Sequence, residues 1–400
     1  LPAARTPGRI RVRMNARPLD EPHRASSQLE LLFDLTFVVA IAAVTDRLAH
    51  SVAAGHALAG LVPFLQVFFA IWWAWMNFTW FASSYDTDDV AYRLLTMLQM
   101  GGALVIAVGA SAAADHSDYA GVTLGYLVMR AGLIAQWVRA GVEHRAGRRT
   151  ALRYAGGIAV AEAGWLLRQV LADSGALPES WQLPFFLCLI VLELAVPRWA
   201  ERSGPTTWHP HHIAERYGLF AIILLGEGVL AASRGVRAAL DVAELSSPFV
   251  VVAVSGLVLL FALWWLYFLV EAGDGLRERR HRSYAWGYVH YGVFAALAAL
   301  GAGLEVAVER SGHALAGAPQ VAGYAVAVPV AVFLVLLWTV HRLIVVRPVI
   351  RPAALAGCVA AVAAAPLATP WVGVAGVVAV IAAACVLLVA VTVGTAPEPR

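Results

Sequence analysis

Lysine is missing from this chain: all 29 basic residues among its 400 are arginine. The bias fits a GC-rich coding sequence and is given no mechanistic weight. Charge of either sign is also sparse, at 14% of residues, where soluble domains carry about a quarter. An ordinary water-soluble enzyme is thereby excluded as the class of the whole chain. Cysteine occurs three times, at Cys188, Cys358 and Cys385, each inside an apolar run. Neither a disulfide framework nor a thiolate metal spacing follows. The net charge of +3 decides little. Arginines ahead of residue 27 adjoin the first apolar segment, so they read as a topology signal and not as a nucleic-acid arm. That segment is long, carries acids and lacks a clear small-residue cleavage site, unlike a cleavable signal peptide.

What the chain has in abundance is apolar length. Sixty per cent of residues are hydrophobic and the mean hydropathy is +0.71. The apolar runs are roughly 20 residues long, enough to cross a bilayer as helices. They show no two-residue alternation, and only helices or closed barrels satisfy the backbone in lipid. The expected fold is all-α, a polytopic integral membrane bundle of about twelve transmembrane helices, with no large soluble domain. The expected spans are 28–49, 58–83, 89–112, 119–142, 151–172, 181–199, 209–233, 247–271, 283–307, 321–345, 352–368 and 371–394. The eleventh is short and alanine-rich, so ten or eleven crossings stay open.

Charge supports the count of twelve. With twelve crossings, one side holds 21 arginines and the other holds four, Arg47, Arg234, Arg237 and Arg310. The positive-inside rule then places both termini in the cytoplasm. The expected organisation is a cytoplasmic arginine-rich segment at 1–27, a six-helix half at 28–203, a second half at 204–394 and a cytoplasmic tail at 395–400. The tryptophan pairs Trp72-Trp73 and Trp264-Trp265 lie 192 residues apart, and Glu30 and Glu215 lie 185 apart. This spacing suggests two parallel six-helix repeats. Chance recurrence among 14 tryptophans is the alternative.

The candidate chemistry lies in acids inside apolar helices. An acid at a helix centre costs roughly 2.5–3.5 kcal/mol on insertion, so such residues face a bundle interior or a hydrated cavity. Glu30 and Asp34 stand one turn apart on one stripe of the first span, and Asp34 lies about 9 Å into it. Their roles are a substrate or ion path, or a structural ion pair. In the seventh span His209, His212 and Arg216 share a face that leads to Glu227, with Glu215 beside them. Glu227 has no evident local partner and is read as titratable or as paired from another helix. His209, His212 and Glu215 do not make a closed ligand set, so no metal is expected.

Asp86, Asp88 and Asp89 follow the second span. They could hold Mg²⁺ with a phosphorylated ligand or cap the third helix, and Arg93 is placed to pair with Asp89. The aromatics of the second span are read mainly as interfacial anchors, with some facing inward. Further intramembrane acids are Glu162, assigned to Arg168, and Glu193, Glu271 and Glu305. His290 is expected within a polar patch with Tyr284, Tyr288 and Tyr291.

Three motifs in order carry a family resemblance: ELLFDLTFVVAI at 30–41, WWAWMNFTWFASSYDTDD with YRLLTMLQM across 72–100, and HHIAERYGLFAIILLGEGVLA at 211–231. The chain resembles the bacterial low temperature requirement protein A family over most of its length. Glu30, Phe33, Asp34, Asp86, Asp88, Asp89, Glu215, Arg216, Gly226 and Glu227 match the family pattern. The resemblance implies a multi-pass protein of the bacterial cytoplasmic membrane and brings no substrate, reaction or cofactor with it. The first functional expectation is a transporter or channel-like protein, proton-coupled, with a path between spans 1 and 7 lined by Asp34, Arg216 and Glu227. The alternatives are an intramembrane enzyme acting on a lipid or isoprenoid phosphate through Asp86, Asp88 and Asp89, and a membrane sensor or structural protein. The expected partners are the lipid bilayer and an unidentified small molecule or ion.

Overall fold

In the computed structural model the described residues are 10–18, 21, 24–241, 246–312 and 318–395. Arg5, Arg9 and residues 396–400 of the expected tail lie outside them. Among the described residues every regular element is a helix. The long helices are α1 (Gln28–Ala53), α2 (Ala57–Ser84), α3 (Val90–His116), α4 (Ala120–Glu143), α5 (Arg148–Asp173), α6 (Glu179–Ala200), α7 (Pro210–Asp241) and α8 (Ser247–Tyr267). They are followed by a short α9 (Ala272–Glu278), then α10 (Ser283–Gly312), α11 (Pro319–Ile344), α12 (Pro352–Ala364) and α13 (Thr369–Gly394). Nine segments among the described residues are long and apolar enough to cross a membrane. Residues 352–394, expected as two spans, form one 43-residue apolar segment by that measure. α5, which carries Arg148, Arg149, Arg153, Glu162, Arg168 and Asp173, and α7 are not among the nine.

The chain divides into two compact units, one of residues 1–40 and 70–213, the other of 41–69 and 214–400. In the first unit α3 and α4 pack through glycine. A Cβ added at Gly125 would lie 2.6 Å from the Gly102 carbonyl oxygen, and one at Gly109 would lie 2.7 Å from the Gly121 carbonyl carbon. Small residues let two backbones approach where lipid supplies no hydrophobic drive between helices.

The second span is less an anchor than its composition suggests. Trp72, Trp73, Trp75, Phe78 and Phe81 are all buried, and only Trp80 is half-buried. Phe33 of α1 packs tilted against Phe78 with centroids 4.1 Å apart, and Trp137 lies parallel to Tyr154 at 4.2 Å. Trp264 and Trp265 are exposed, so the two tryptophan pairs sit in opposite environments.

The arginine-rich segment before α1 is docked. The backbone N–H of Val12 donates to Asp89 at 2.8 Å, that of Met14 to Glu143 at 2.5 Å, and that of Arg17 to the Ser84 carbonyl at 2.9 Å. Met14 is fully buried. This strap therefore spans the ends of α2, α3 and α4, a contact that reading it as a topology signal alone does not anticipate.

In the second unit His290 is enclosed by Tyr267, Trp286 and Tyr217. The Tyr267 hydroxyl lies 3.2 Å from Nε2, the Trp286 carbonyl 2.7 Å from Nδ1, and the Tyr217 ring 4.8 Å from the imidazole. Tyr291, expected beside it, donates instead to the Leu65 carbonyl at 2.8 Å.

Candidate functional site

The sequence Ser27-Gln28-Leu29-Glu30 opens α1 with a capping box. The Glu30 N–H donates to Ser27 Oγ at 3.3 Å, and the Ser27 N–H donates back to Glu30 Oε2 at 2.7 Å. Reciprocal bonds of this kind satisfy two donors that a helix start leaves open. The other oxygen, Oε1, lies 3.4 Å from Arg24 and 3.0 Å from His212 Nε2. The starts of α1 and α7 thus meet at one buried carboxylate. Four residues on, buried Asp34 accepts from the Trp75 indole N–H at 2.6 Å.

Arg24 also lies 3.7 Å from Asp86, and Arg17 pairs with Asp86 at 3.0 Å and with Glu21. Arg17 and Arg24 thus link Glu21, Glu30 and Asp86, and His212 adds a basic group beside Glu30.

The remaining members of the acidic trio face elsewhere. Asp89 is the N-cap of α3, accepting from the Tyr92 N–H at 2.9 Å, and Arg139 donates to it at 2.8 Å. Burial opposes its ionisation, but the bonds from Arg139, Val12 and Tyr92 outweigh burial and bring it down to about 2. Asp88 adopts a left-handed φ of 50°, which an Asp tolerates better than most residues. That turn points its carboxylate at Arg93, 2.8 Å away. Arg93 thus pairs with Asp88 and not with Asp89, because Arg139 already occupies Asp89. Three carboxylates with different arginine partners do not converge on one ion. Among the described residues no group of three His, Cys, Asp or Glu side chains could hold a metal.

A second buried cluster crosses α2, α4, α5 and α6 in the first unit. Glu193 accepts from Trp73 at 2.9 Å, Tyr126 at 2.7 Å, Trp165 at 3.3 Å and Arg130 at 2.5 Å. Arg130 also reaches Glu162 at 3.3 Å, and all three charged groups are buried. Glu162 is therefore partnered by Arg130 from α4. Arg168, to which the sequence assigned it, instead lies over the Tyr119 and Phe186 rings at 5.5 and 5.7 Å.

In the second unit Glu227 is buried and Arg234 donates to it at 3.1 Å. Arg234 also donates to Glu305 of α10 at 3.0 Å. The partner of Glu227 that the sequence left unassigned thus stands two turns along its own helix. Arg216 is buried and Glu215 exposed.

Sequence reasoning named Glu162, Glu193 and Glu305 but did not join them to Arg130 and Arg234. The pairing of Arg130 with Glu193 spans 63 residues, and no local spacing announces it. Glu227 and Arg234, seven residues apart on one helix, were within reach of a periodicity argument.

A family profile described as bacterial low temperature requirement A protein matches residues 25–392. An uncharacterized protein of Rhizobium meliloti (strain 1021) is 27% identical over 260 residues, covering 60% of this chain and 57% of the relative. The match thus spans little more than half of that relative's length.

Proposed function

The chain belongs to the bacterial low temperature requirement A family, and on that premise we propose a proton-coupled transporter or channel-like protein. One observation carries the reading: in two clusters a pair of acids meets a single arginine, and around Arg130 all three groups are buried. Arg130 stands between Glu162 and Glu193. Arg234 stands between Glu227 and Glu305. Full ionisation would leave one negative charge uncompensated in each, which is expensive away from water. Each cluster is therefore suited to hold one exchangeable proton.

In this reading α5 and α7 also cross the membrane, and 352–368 forms the shortest crossing. The twelve spans fall into halves at 28–203 and 204–394, and the arginine-rich side with both termini is cytoplasmic. Asp34, held by Trp75, lies on the same stripe of α1 as Glu30 and lines the path.

Reconstituted protein tests the proposal. A pH jump across proteoliposomes should drive proton movement or solute uptake. Asp34→Asn, Glu162→Gln and Glu227→Gln should each lower the rate at least tenfold or abolish its pH dependence. Wild-type rates and pH profiles in all three would refute the assignment.

A further inference from the structure

Helices α5 and α6 run antiparallel through the short turn at 174–178 and enclose an open groove of about 690 Å³. Its wall is apolar, formed by Gly156, Gly157, Val160, Leu192, Val196 and Trp199, and Arg198 and Arg202 also line it. The volume falls within the roughly 300–1,000 Å³ of small-molecule sites. Gly156 leaves open space: a Cβ there would meet no atom within 4 Å. The adjoining face of α6 exposes Trp181, Leu183, Leu187 and Val191, and α6 is one of the nine segments apolar enough to cross a membrane.

The polar end is built differently from the clusters above. Arg198 and Arg202 are one turn apart and exposed. Among the described residues neither makes an ion pair or a hydrogen bond. The nearest acid in sequence, Glu201, is turned away, accepting from the Thr206 N–H at 3.2 Å and from the Tyr154 hydroxyl at 3.4 Å. Along the chain Trp199 falls between Val196 and Arg202, and all three line the groove, with the Arg153 guanidinium 5.4 Å from the Trp199 ring centre. Tryptophan at that level is typical of a membrane interface.

We propose that this groove binds an anionic membrane phospholipid. An acyl chain lies along Gly156, Val160, Leu192 and Val196, and the phosphate meets Arg198 and Arg202. Guanidinium groups match phosphate oxygens with paired, charge-assisted hydrogen bonds. Basic pockets between transmembrane helices bind anionic headgroups by the same chemistry. Apolar wall, interfacial indole and two arginines without carboxylates follow one another in the order of a lipid's own parts. The inference does not depend on what the protein transports.

The test is native mass spectrometry of the full chain released from micelles doped with phosphatidylglycerol or phosphatidylcholine. Wild type should retain phosphatidylglycerol about thirtyfold more tightly, the value two interfacial arginines supply. The double variant Arg198→Gln, Arg202→Gln should lose that preference and still bind both lipids weakly. Gly156→Leu fills the groove, and its helix propensity favours folding. It should weaken both lipids while the arginines keep their preference. Inorganic phosphate at millimolar concentration should not displace phosphatidylglycerol. Equal retention of the two lipids by wild type, an unchanged preference in the double variant, or displacement by inorganic phosphate alone would each overturn the assignment.

Discussion

At the residue scale, Asp89 shows how a charge can be held at the edge of an apolar helix. It caps α3, accepts from the strap and meets Arg139. Its carboxyl is held at about 2, below the ordinary value of 3.8. A carboxylate depressed in the folded state contributes stability that is complete above its unfolded value and is lost as pH falls through the folded one. Thermal unfolding in detergent should therefore show a stability loss between about pH 4 and pH 2. Asn keeps the cap but not the charge, so Asp89→Asn should be less stable at neutral pH and should flatten that acid limb. An identical limb in the variant would remove Asp89 from the account. Legibility at this scale was uneven. The cap was readable, because an Asp just ahead of an apolar run has few other uses. The box at Ser27 and Glu30 was equally readable in Ser-x-x-Glu, yet the acid's place in an apolar run drew the reading toward an ion path or a structural ion pair.

At the element scale, hydropathy located most of the long helices to within about five residues, but it ended α7 at 233 where the helix runs to Asp241, and it gave no sign of α9. It could not say which face of α2 is covered, because aromatics occupy every face and burial is decided by what packs against them. The same limit applies to α3 and α4. The sequence reading did not single out their glycines, because the partner of each is set by tertiary structure. Gly125 faces Gly102 and Ile106 with no space for a side chain. Gly125→Val should force the helices apart, with a cost in the usual range of about 1–3 kcal/mol for overpacking. Size exclusion and thermal unfolding of the purified variant should show a lower midpoint with the same helical content. An unchanged midpoint would mean that the seam carries little of the stability. Gly101, one residue from the seam on α3, has open space around it, and Gly101→Val serves as the tolerated control.

At the scale of the whole molecule, the recurring arrangement is one guanidinium between two acids, and it predicts an asymmetry. Removing one acid should be tolerated, since the remaining pair balances. Removing the arginine leaves two buried carboxylates facing each other. Arg130→Gln should therefore cost about 3–5 kcal/mol, while Glu162→Gln should leave the thermal midpoint near that of wild type or above it. Comparison of the two midpoints at pH 7 checks this, and equal losses would count against charge as the organising term. None of these triads was visible as a unit in the sequence. Each joins positions on helices whose proximity depends on the assembled bundle, whereas the acids themselves stood out at once against apolar surroundings.

The strap ahead of α1 has one more consequence, and it concerns time. Met14 leaves the ribosome 129 residues before Glu143, the side chain that accepts its N–H. The clasp therefore cannot close until the fourth helix has been synthesised and threaded through the insertion machinery. Closure then marks completion of the first four-helix stage of assembly. A pulse-labelled nascent chain should become resistant to cleavage near Met14 only once translation has passed Glu143.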